Sequence, residues 1–262
     1  MTFSCVQFCR AKLLEILVFY VCCTAFLAEA FHLLLRPRKK TVSQNNVQES
    51  QILGDSIETL TISIIIAVKN EASFIGKTLR NLEATTVDKS RCQVIFVDAG
   101  CTDNSIEVAR ASSCCIPLIF VKNVSGIGRG ACLNAGAGRA TGDILLFLRP
   151  DCLVPPGYDK VLRREFFRDQ DALTAFSFGI DREKLKGNEV AGMWLWEQYI
   201  NMRSRFCSLP AGFQGLAVAK KYFIDLQFPD TIVLEDLSYV MSFRREKGNS
   251  VNCSSYYPLI HA

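Results

Sequence analysis

Apolar and polar positions alternate in blocks whose spacing changes from strand-like to helical and back again, from residue 61 onwards. The strand-like runs of β-branched and apolar residues are 61–68, 93–97, 117–121 and 143–148. The segments with helical spacing between them are 71–82, 104–111 and 130–140. Continuous apolar strands that alternate with amphipathic helices are typical of a parallel sheet covered on both faces. The pattern therefore predicts an α/β fold with a Rossmann-like, mainly parallel sheet.

A separate apolar run, residues 13–35, contains few polar residues and is long enough to cross a bilayer as a helix. Arg10 and Lys12 precede it, and a basic cluster at residues 36–40 follows it. Because the more positive flank of a membrane helix stays in the cytoplasm, we expect a single-pass N-terminal transmembrane helix with the following domain on the cytoplasmic side.

The same run has a second interpretation, a cleaved signal peptide. Residues 13–27 would form its apolar core, and Ala28-Glu29-Ala30 would be the cleavage site. The domain would then lie in the lumen of the secretory pathway, where Asn123 and Asn252 each begin an Asn-X-Ser glycosylation acceptor. Both interpretations divide the chain into an anchor or signal at 1–40, a polar linker at 41–60 and a folded domain at 61–262.

Composition excludes several other classes of protein. The 262 residues are 49% hydrophobic, which is enough for a substantial core. The net charge of +4 is matched by the four basic residues within 36–40, so the remainder has no basic footprint for nucleic acid. The twelve cysteines lack the CxxC spacing of zinc sites and are interpreted mostly as small buried residues. His32 and His261 are the two histidines, which argues against a histidine triad or a multi-histidine metal site.

Polar and acidic residues follow three of the predicted strands. Lys-Asn-Glu at 69–71 follows the first strand, residues 98–103 follow the second, and Arg-Pro-Asp at 149–151 follows the fourth. Ligands of open parallel sheets bind beyond the carboxyl ends of the strands, so these residues predict a binding cleft. Asp103 also has a simpler interpretation, as a cap for the helix predicted at 104–111.

Ordered motifs in this part of the chain resemble those of family 2 glycosyltransferases. The residues that carry the resemblance are 63–71, the Val-Asp-Ala-Gly-Cys-Thr-Asp motif at 97–103, 128–137 and 140–148. The likeness extends over about residues 61–248, and the subgroup it fits best is that of the rSAM/selenodomain-associated transferases. It implies a GT-A fold and an inverting enzyme that moves a sugar from a nucleotide-sugar donor to a hydroxyl acceptor.

The resemblance also implies roles for individual residues at the donor end of the cleft. It places Ala67, Glu71, Asp98 and Asp103 at the nucleotide, with Asp98 accepting hydrogen bonds from the base. Arg129 and Asn134 would lie near the diphosphate or the loop that approaches it.

Two acidic motifs would supply the chemistry. Asp151 matches the last acid of the metal-binding DXD motif and would hold a divalent ion, Mg²⁺ or Mn²⁺, at the diphosphate. Glu235 and Asp236 match the late acidic pair, in which Asp236 would be the general base that takes the proton of the acceptor hydroxyl. The simpler interpretation of this pair is an exposed start of the helix expected at 237–243.

The chain departs from the family pattern at two positions. Arg149 stands where relatives have aspartate and this subgroup has histidine, and arginine cannot ligate a metal. Its guanidinium could instead contact the diphosphate or point to solvent. Phe213, within Gly-Phe-Gln-Gly at 212–215, replaces the aspartate of the subgroup. These departures support an alternative function, a membrane-tethered, non-catalytic member of the fold that binds nucleotide.

Two further patterns have competing interpretations. Residues 126–131 fit the Gly-x-Gly-x-x-Ala motif of NAD(P)-dependent oxidoreductases, but they follow the third strand, whereas that fingerprint follows the first. Residues 190–206 place Trp194, Trp196, Tyr199 and Phe206 on a helical spacing. They could form an acceptor platform or a membrane-contacting helix, and core packing is the interpretation we favour.

Overall fold

The computed structural model describes residues 59–112, 114–122, 128–181, 188–231, 234–247 and 251–261. The predicted membrane segment at 13–35 and nearly all of the linker lie outside these residues. Within the described part of the chain, no helix has both the length and the apolar character needed to cross a bilayer.

Eight strands and seven α-helices are found in the described residues. In chain order they are β1 (Ile62–Val68), α1 (Ala72–Thr85), β2 (Cys92–Asp98), α2 (Ser105–Ala111), β3 (Leu118–Lys122), α3 (Arg129–Ala137), β4 (Ile144–Leu148), β5 (Cys152–Leu153), α4 (Tyr158–Arg168), β6 (Leu173–Ile180), α5 (Asn188–Cys207), β7 (Leu216–Ala219), α6 (Lys220–Asp225), α7 (Glu235–Lys247) and β8 (Val251–His261). Single 3₁₀ turns occur at Lys89–Arg91 and Gly212–Gln214. The predicted strands and helices between residues 61 and 148 are all confirmed, with ends shifted by a few residues.

The strands form one sheet in the order β3-β2-β1-β4-β7-β6-β8-β5. The first four of these strands run parallel, which confirms the expected Rossmann-like half. β7 then runs antiparallel to both β4 and β6, and β5 runs antiparallel to β8, while β6 and β8 are parallel. The sheet is therefore mixed, and its parallel half carries the strand ends at which the cleft was predicted.

Helices cover both faces of the sheet because successive side chains of each strand point to opposite sides. Ile64 and Ile66 of β1 pack on the face covered by α1, α2 and α4. Ile65, between them, packs on the face covered by α3, α6 and α7. Gly136 lets α3 approach this second face closely, since a Cβ there would lie 2.6 Å from Cγ2 of Ile65.

Helix α5 corrects the core-packing interpretation of its aromatic residues. The side chains of Trp194, Leu195 and Trp196 are 46%, 53% and 47% exposed. Phe206, near the end of the same helix, is 58% exposed. The expected helix is confirmed, but it has long apolar residues at consecutive positions, and only part of its surface can face the sheet.

Candidate active site

The parallel register brings the ends of β1, β2 and β4 together at one side of the sheet. Val68 and Asp98, the last residues of β1 and β2, pair with each other, and Leu148, the last residue of β4, pairs with Ile66, two residues before the end of β1. Ala67 lies in this last part of β1, half-buried beside Val97. The predicted cleft residues 69–71, 98–103 and 149–151 are thus neighbours in space, as the strand order required.

Side-chain hydrogen bonds join the loops after β1 and β2. Asp103 accepts hydrogen bonds from the backbone N–H of Ser105 (3.0 Å) and from that of Ala72 (3.2 Å), at the starts of α2 and α1. The Ser105 hydroxyl in turn accepts a hydrogen bond from the backbone N–H of Glu71 at 2.8 Å. Hydrogen bonding, led by the Ser105 side chain, lowers the pKa of Asp103. Asp103 therefore fixes both helix starts, which agrees with its simpler interpretation as a cap and leaves its role at the nucleotide a prediction.

Asp98 shapes the turn that follows β2. One of its oxygens, Oδ1, accepts hydrogen bonds from the backbone N–H groups of Gly100 (3.0 Å) and Cys101 (2.8 Å). Partial burial alone would raise the pKa of Asp98, but these hydrogen bonds and the charge of Lys122 lower it overall. The carboxylate is therefore ionised and oriented at the end of the strand, where a ligand in the cleft can reach it.

Arg149 and Asp151 form a bidentate ion pair after β4. Nε of Arg149 lies 3.1 Å from Oδ1 of Asp151, and Nη2 lies 3.3 Å from Oδ2. The backbone N–H of Cys152 donates to the carbonyl of Arg149 at 3.2 Å and closes a tight turn. The hydroxyl of Thr78 in α1 donates to the carbonyl of Pro150 at 2.5 Å and fixes this turn to the helix. These two hydrogen bonds fix the backbone that carries the side chains of Arg149 and Asp151.

The charges of this ion pair act on Glu71, the residue before α1. Burial raises the pKa of Glu71, and the charge of Asp151 raises it further, while Arg149 acts in the opposite direction. The helix that follows Glu71 is joined to the turn after β4 through Thr78 and Pro150, so Glu71 adds a third charged group on this side of the sheet.

Arg129 and Glu235 form a second ion pair, between the starts of α3 and α7. Nη1 of Arg129 lies 3.3 Å from Oε1 of Glu235. Nη2 of Arg129 is buried and has no hydrogen-bond partner among the described residues. Glu235 is only 8% exposed, so the interpretation of this acidic pair as an exposed helix start is wrong for Glu235, although α7 does begin there.

Asn134 has a different environment from the one that the family motif implied. Its side-chain amide donates to the carbonyl of Phe228 at 2.9 Å and accepts from the backbone N–H of the same residue at 3.0 Å. Both polar atoms therefore hold the chain after α6 against α3. A role for Asn134 near the diphosphate stays a prediction, and the contact with Phe228 gives no support for it.

Asp236 lies at the start of α7 against the 3₁₀ turn Gly212–Gln214. Its Oδ2 accepts a hydrogen bond from the backbone N–H of Gly212 at 2.5 Å, and its Oδ1 accepts one from the N–H of Leu237 at 2.8 Å. The carbonyl of Phe213, the next residue in the turn, lies 3.7 Å from Sγ of Cys152, which follows Asp151 in the chain. The turn thus lies between the carboxylate of Asp236 and the Arg149–Asp151 pair.

An open pocket of about 440 Å³ adjoins the Arg149–Asp151 pair. Its lining residues are Arg149, Asp151, Phe178, Ile180, Asp181, Met193, Trp196 and Phe213. Phe213 packs edge-on against Phe178, with ring centroids 5.0 Å apart. Sequence analysis missed Phe178, because a phenylalanine in a strand carries no signal that distinguishes a pocket wall from the core.

Gln214, the residue after Phe213, is completely buried and holds the turn in position. Its Oε1 accepts from the hydroxyl of Ser204 (2.7 Å) and from the N–H of Ala211 (2.9 Å), and its Nε2 donates to the carbonyl of Phe176 (3.0 Å). The position of the turn is therefore fixed by β6 and α5.

The described residues do not fit a divalent metal ion at Asp151. Mg²⁺ and Ca²⁺ require several oxygen ligands, and the acid that would stand two residues before Asp151 is replaced by Arg149. The guanidinium of Arg149 contacts both carboxylate oxygens of Asp151. The described part of the chain holds no group of three or more acidic, histidine or cysteine side chains arranged for a metal.

Comparison with known proteins identifies the domain that contains this site. The model of the family described as glycosyl transferase family 2 matches residues 63–226, which include the three cleft segments and the Gly212–Gln214 turn and end before Glu235 and Asp236. The chain belongs to glycosyl transferase family 2. This result confirms the family that the motifs indicated.

Individual relatives of the family 2 domain agree with its fold. Glycosyltransferase AglE of Haloferax volcanii is 37% identical over 92 residues, which cover 35% of this chain and 30% of that protein. The structure of TarS from S. aureus in complex with UDP superposes with a TM-score of 0.60 at 16% identity and covers 78% of this chain and 61% of that one. Mannosyltransferase PcManGT from Pyrobaculum calidifontis, in complex with GDP-Man and Mn²⁺, gives a TM-score of 0.63 at 15% identity and covers 93% and 65%.

The two structural matches show that the family 2 domain has a GT-A-like α/β fold, as predicted. In all three comparisons the match spans less than two thirds of the other protein. The glycine-rich segment that resembled a dinucleotide motif begins outside the described residues, and α3 follows β3 in the structure, so it does not occupy the place of that fingerprint.

Proposed function

We propose that this domain transfers a sugar from a nucleoside diphosphate sugar to a hydroxyl acceptor with inversion, and that Asp236 is the general base. The observation that carries the proposal is the position of Asp236 across the Gly212–Gln214 turn from the Arg149–Asp151 pair. An inverting transfer needs a proton acceptor on one face of the sugar and positive charge at the leaving group on the other. The two sides of the turn offer these two functions.

The donor would lie along the ends of β1, β2 and β4. Asp98 is ionised and accepts hydrogen bonds, which suits an N–H group of a nucleobase. The diphosphate would then extend towards the guanidiniums of Arg149 and Arg129. UDP and GDP-Man, bound by the structurally similar TarS and PcManGT, are examples of the donor chemistry that we propose for this chain.

The reaction balances with one base. The acceptor oxygen attacks the anomeric carbon of the sugar, its proton passes to the carboxylate of Asp236, and the carbon–oxygen bond to the diphosphate breaks. The nucleoside diphosphate leaves with the bonding electron pair. Backbone N–H groups hold both oxygens of Asp236, but each carboxylate oxygen has a second lone pair with which to accept the proton.

The pocket lined by Phe178, Trp196 and Phe213 opens beside Asp151, on the side of the turn that we assign to the donor. It would therefore receive the sugar of the donor, while the acceptor approaches from the side of Asp236. Aromatic walls bind the apolar faces of a ligand, which suits the face of a sugar ring. We further propose that the domain is closest to the rSAM/selenodomain-associated subgroup, from the motifs at residues 97–103 and 140–148.

Asp236→Asn tests the base directly. The asparagine keeps the size of the side chain and an acceptor oxygen for Gly212 but has no basic carboxylate, so turnover should fall about a hundredfold or more while donor affinity changes little. Asp225→Asn, at an exposed position at the end of α6, is the matched control and should keep full turnover. Full activity of Asp236→Asn with an identified donor and acceptor would contradict the proposal.

Arg149 and Phe213 support the alternative of a non-catalytic nucleotide-binding protein. A screen of nucleotide sugars and acceptors separates the two functions. Nucleotide binding by the wild-type protein without transfer to any acceptor would favour the alternative, whereas transfer that depends on Asp236 would exclude it.

A further inference from the structure

The Arg149–Asp151 pair leaves part of the guanidinium available for a ligand. A guanidinium has five N–H donors in a fixed plane, and the bidentate contact with Asp151 uses one on Nε and one on Nη2. Three N–H donors of Arg149 therefore remain, two on Nη1 and one on Nη2. The Arg149 side chain is 42% exposed and lines the pocket, so these donors are accessible to a bound molecule.

A second guanidinium, that of Arg129, lies at the start of α3. Arg129 is tied to Glu235 through Nη1, while its Nη2 is buried without a hydrogen-bond partner in the described residues. A buried donor without a partner is costly, which suggests that a ligand supplies one. Glu235 is followed by Asp236, whose carboxylate accepts a hydrogen bond from the N–H of Gly212. The carbonyl of Phe213, next in that turn, lies 3.7 Å from Sγ of Cys152, the residue after Asp151. Direct contacts therefore connect the Arg129–Glu235 pair to the Arg149–Asp151 pair.

The two arginine–carboxylate pairs carry the same charges as a divalent metal ion bound between two carboxylates. In a DXD site, a divalent ion lies between carboxylates and phosphates. Here each of two guanidiniums contacts a carboxylate, Asp151 or Glu235, and together they carry the same charge as one divalent ion. A metal ion at Asp151 would have to share the carboxylate with the guanidinium of Arg149, which carries a charge of the same sign and contacts both oxygens.

We propose that Arg149 and Arg129 hold the diphosphate in place of a divalent cation, so that nucleotide binding by this domain is independent of metal. This inference rests on the proposed function, because it names the groups that bind the donor diphosphate. Guanidinium is suited to the task, since it donates paired hydrogen bonds to phosphate and keeps its charge at every physiological pH.

Calorimetric titration of UDP and GDP tests the proposal in the absence of any sugar transfer. The wild-type protein should bind one of them with affinities that agree within about twofold in EDTA and in Mn²⁺. Arg149→Ala should weaken that binding about tenfold or more under both conditions, because a charged hydrogen-bonding group is lost. Arg164→Ala, a change at an exposed arginine of α4, is the matched control and should bind as the wild type does.

Arg149→Asp provides the opposite change, because it restores an acid two residues before Asp151. This variant should bind nucleotide poorly in EDTA and recover about tenfold or more in Mn²⁺. Compared with Mn²⁺ and nucleotide without protein, it should further reduce the electron paramagnetic resonance signal of free Mn²⁺, and the wild type should cause no such further reduction. Circular dichroism of each variant shows whether it is folded.

Three outcomes would overturn the inference. Wild-type binding that appears only with Mn²⁺ would overturn it and leave the proposed function intact. Wild-type affinity in folded Arg149→Ala would remove the role of Arg149. The absence of UDP and GDP binding by the wild type in both conditions would instead overturn the proposed function, and this inference with it.

Discussion

The backbone of Gly212 and the carboxylate of Asp236 are in direct contact. The N–H of Gly212 donates to Oδ2 of Asp236, and a Cβ on Gly212 would lie 2.6 Å from that oxygen and 2.8 Å from Cβ of Asp236. No side chain larger than hydrogen fits between the turn and α7 without moving Asp236. The orientation of the proposed base therefore depends on a glycine that carries no functional group.

Gly212→Ala should displace Asp236 and lower turnover about tenfold or more, because a small misplacement of a base is costly in the transition state. Steady-state kinetics should show this loss in kcat, with donor affinity close to that of the wild type. Gly192→Ala in α5 is the matched control, since a Cβ there meets nothing within 4 Å. That control should keep kcat and raise the stability of the helix by up to about 1 kcal/mol. Equal kcat in Gly212→Ala and the wild type would show that the contact does not position the base.

The sequence was sufficient to predict the parallel half of the fold and its polar strand ends. Alternation of apolar strands with helices determines that half, because β1, β2 and β4 are largely buried and β3, at the edge of the sheet, is half-buried. The antiparallel strands could not be predicted in the same way. β7 has only four residues, too few to show a clear pattern of apolar positions. The long helix α5 lies between β6 and β7 in the chain, so the sequence does not indicate that these two strands are neighbours.

Asp98→Ala should weaken the binding of UDP or GDP several-fold or more, because it removes the ionised acceptor at the end of β2. The same change also removes the acceptor of the Gly100 and Cys101 N–H groups. Asp98→Asn separates the two effects, since an amide oxygen can still accept from this turn but carries no charge. Calorimetry on both variants should show weakened binding. Unchanged affinity in folded Asp98→Ala would remove Asp98 from the donor site.

We also propose that residues 13–35 form an uncleaved membrane anchor with the basic cluster at 36–40 in the cytoplasm. The mature protein should then keep its N-terminus, and Asn123 and Asn252 should be unglycosylated. N-terminal sequencing and the mobility of the protein before and after glycosidase treatment test both expectations. Neutralising the four basic residues within 36–40 should reverse the orientation of part of the population. A mature chain that begins at Phe31 would instead establish the signal peptide.

The candidate site shows where motif-based prediction ends. Motifs identified the acids Asp98, Asp151 and Asp236, but they gave no indication that Arg149 forms a bidentate pair with Asp151, because side-chain pairing depends on the geometry of the turn. Asn134 illustrates the reverse case, since it matches a family motif and its amide contacts the backbone of Phe228. Motif identity constrains the residue type, and only the surrounding packing determines which atom it contacts.

Glu83 lies near the C-terminal end of α1, at the opposite end of the helix from the cleft residues 69–71. We expect its carboxylate to make the free energy of unfolding sensitive to acid. Its carboxylate accepts hydrogen bonds from Nζ of Lys89 (2.6 Å), from Sγ of Cys114 (3.1 Å) and from the backbone N–H of Cys115 (2.9 Å). The contact with Lys89, followed by that with Cys114, lowers the pKa of Glu83 from 4.5 to about 2. Because the folded state has the lower pKa, this stabilisation is complete above pH 4.5 and is lost as the pH falls towards 2.

Glu83→Gln should therefore lower the free energy of unfolding near neutral pH and lose its effect in acid. The size of the pKa shift, reduced for the solvent that reaches Glu83, corresponds to about 1–2 kcal/mol. Urea unfolding at a series of pH values should show this difference from the wild type at neutral pH, and the difference should shrink as the pH falls below 4.5. Glu107→Gln, at an exposed position of α2, should show little difference at any pH. A difference between wild type and Glu83→Gln that stays constant with pH would mean that the packing of the side chain, rather than its charge, stabilises this region.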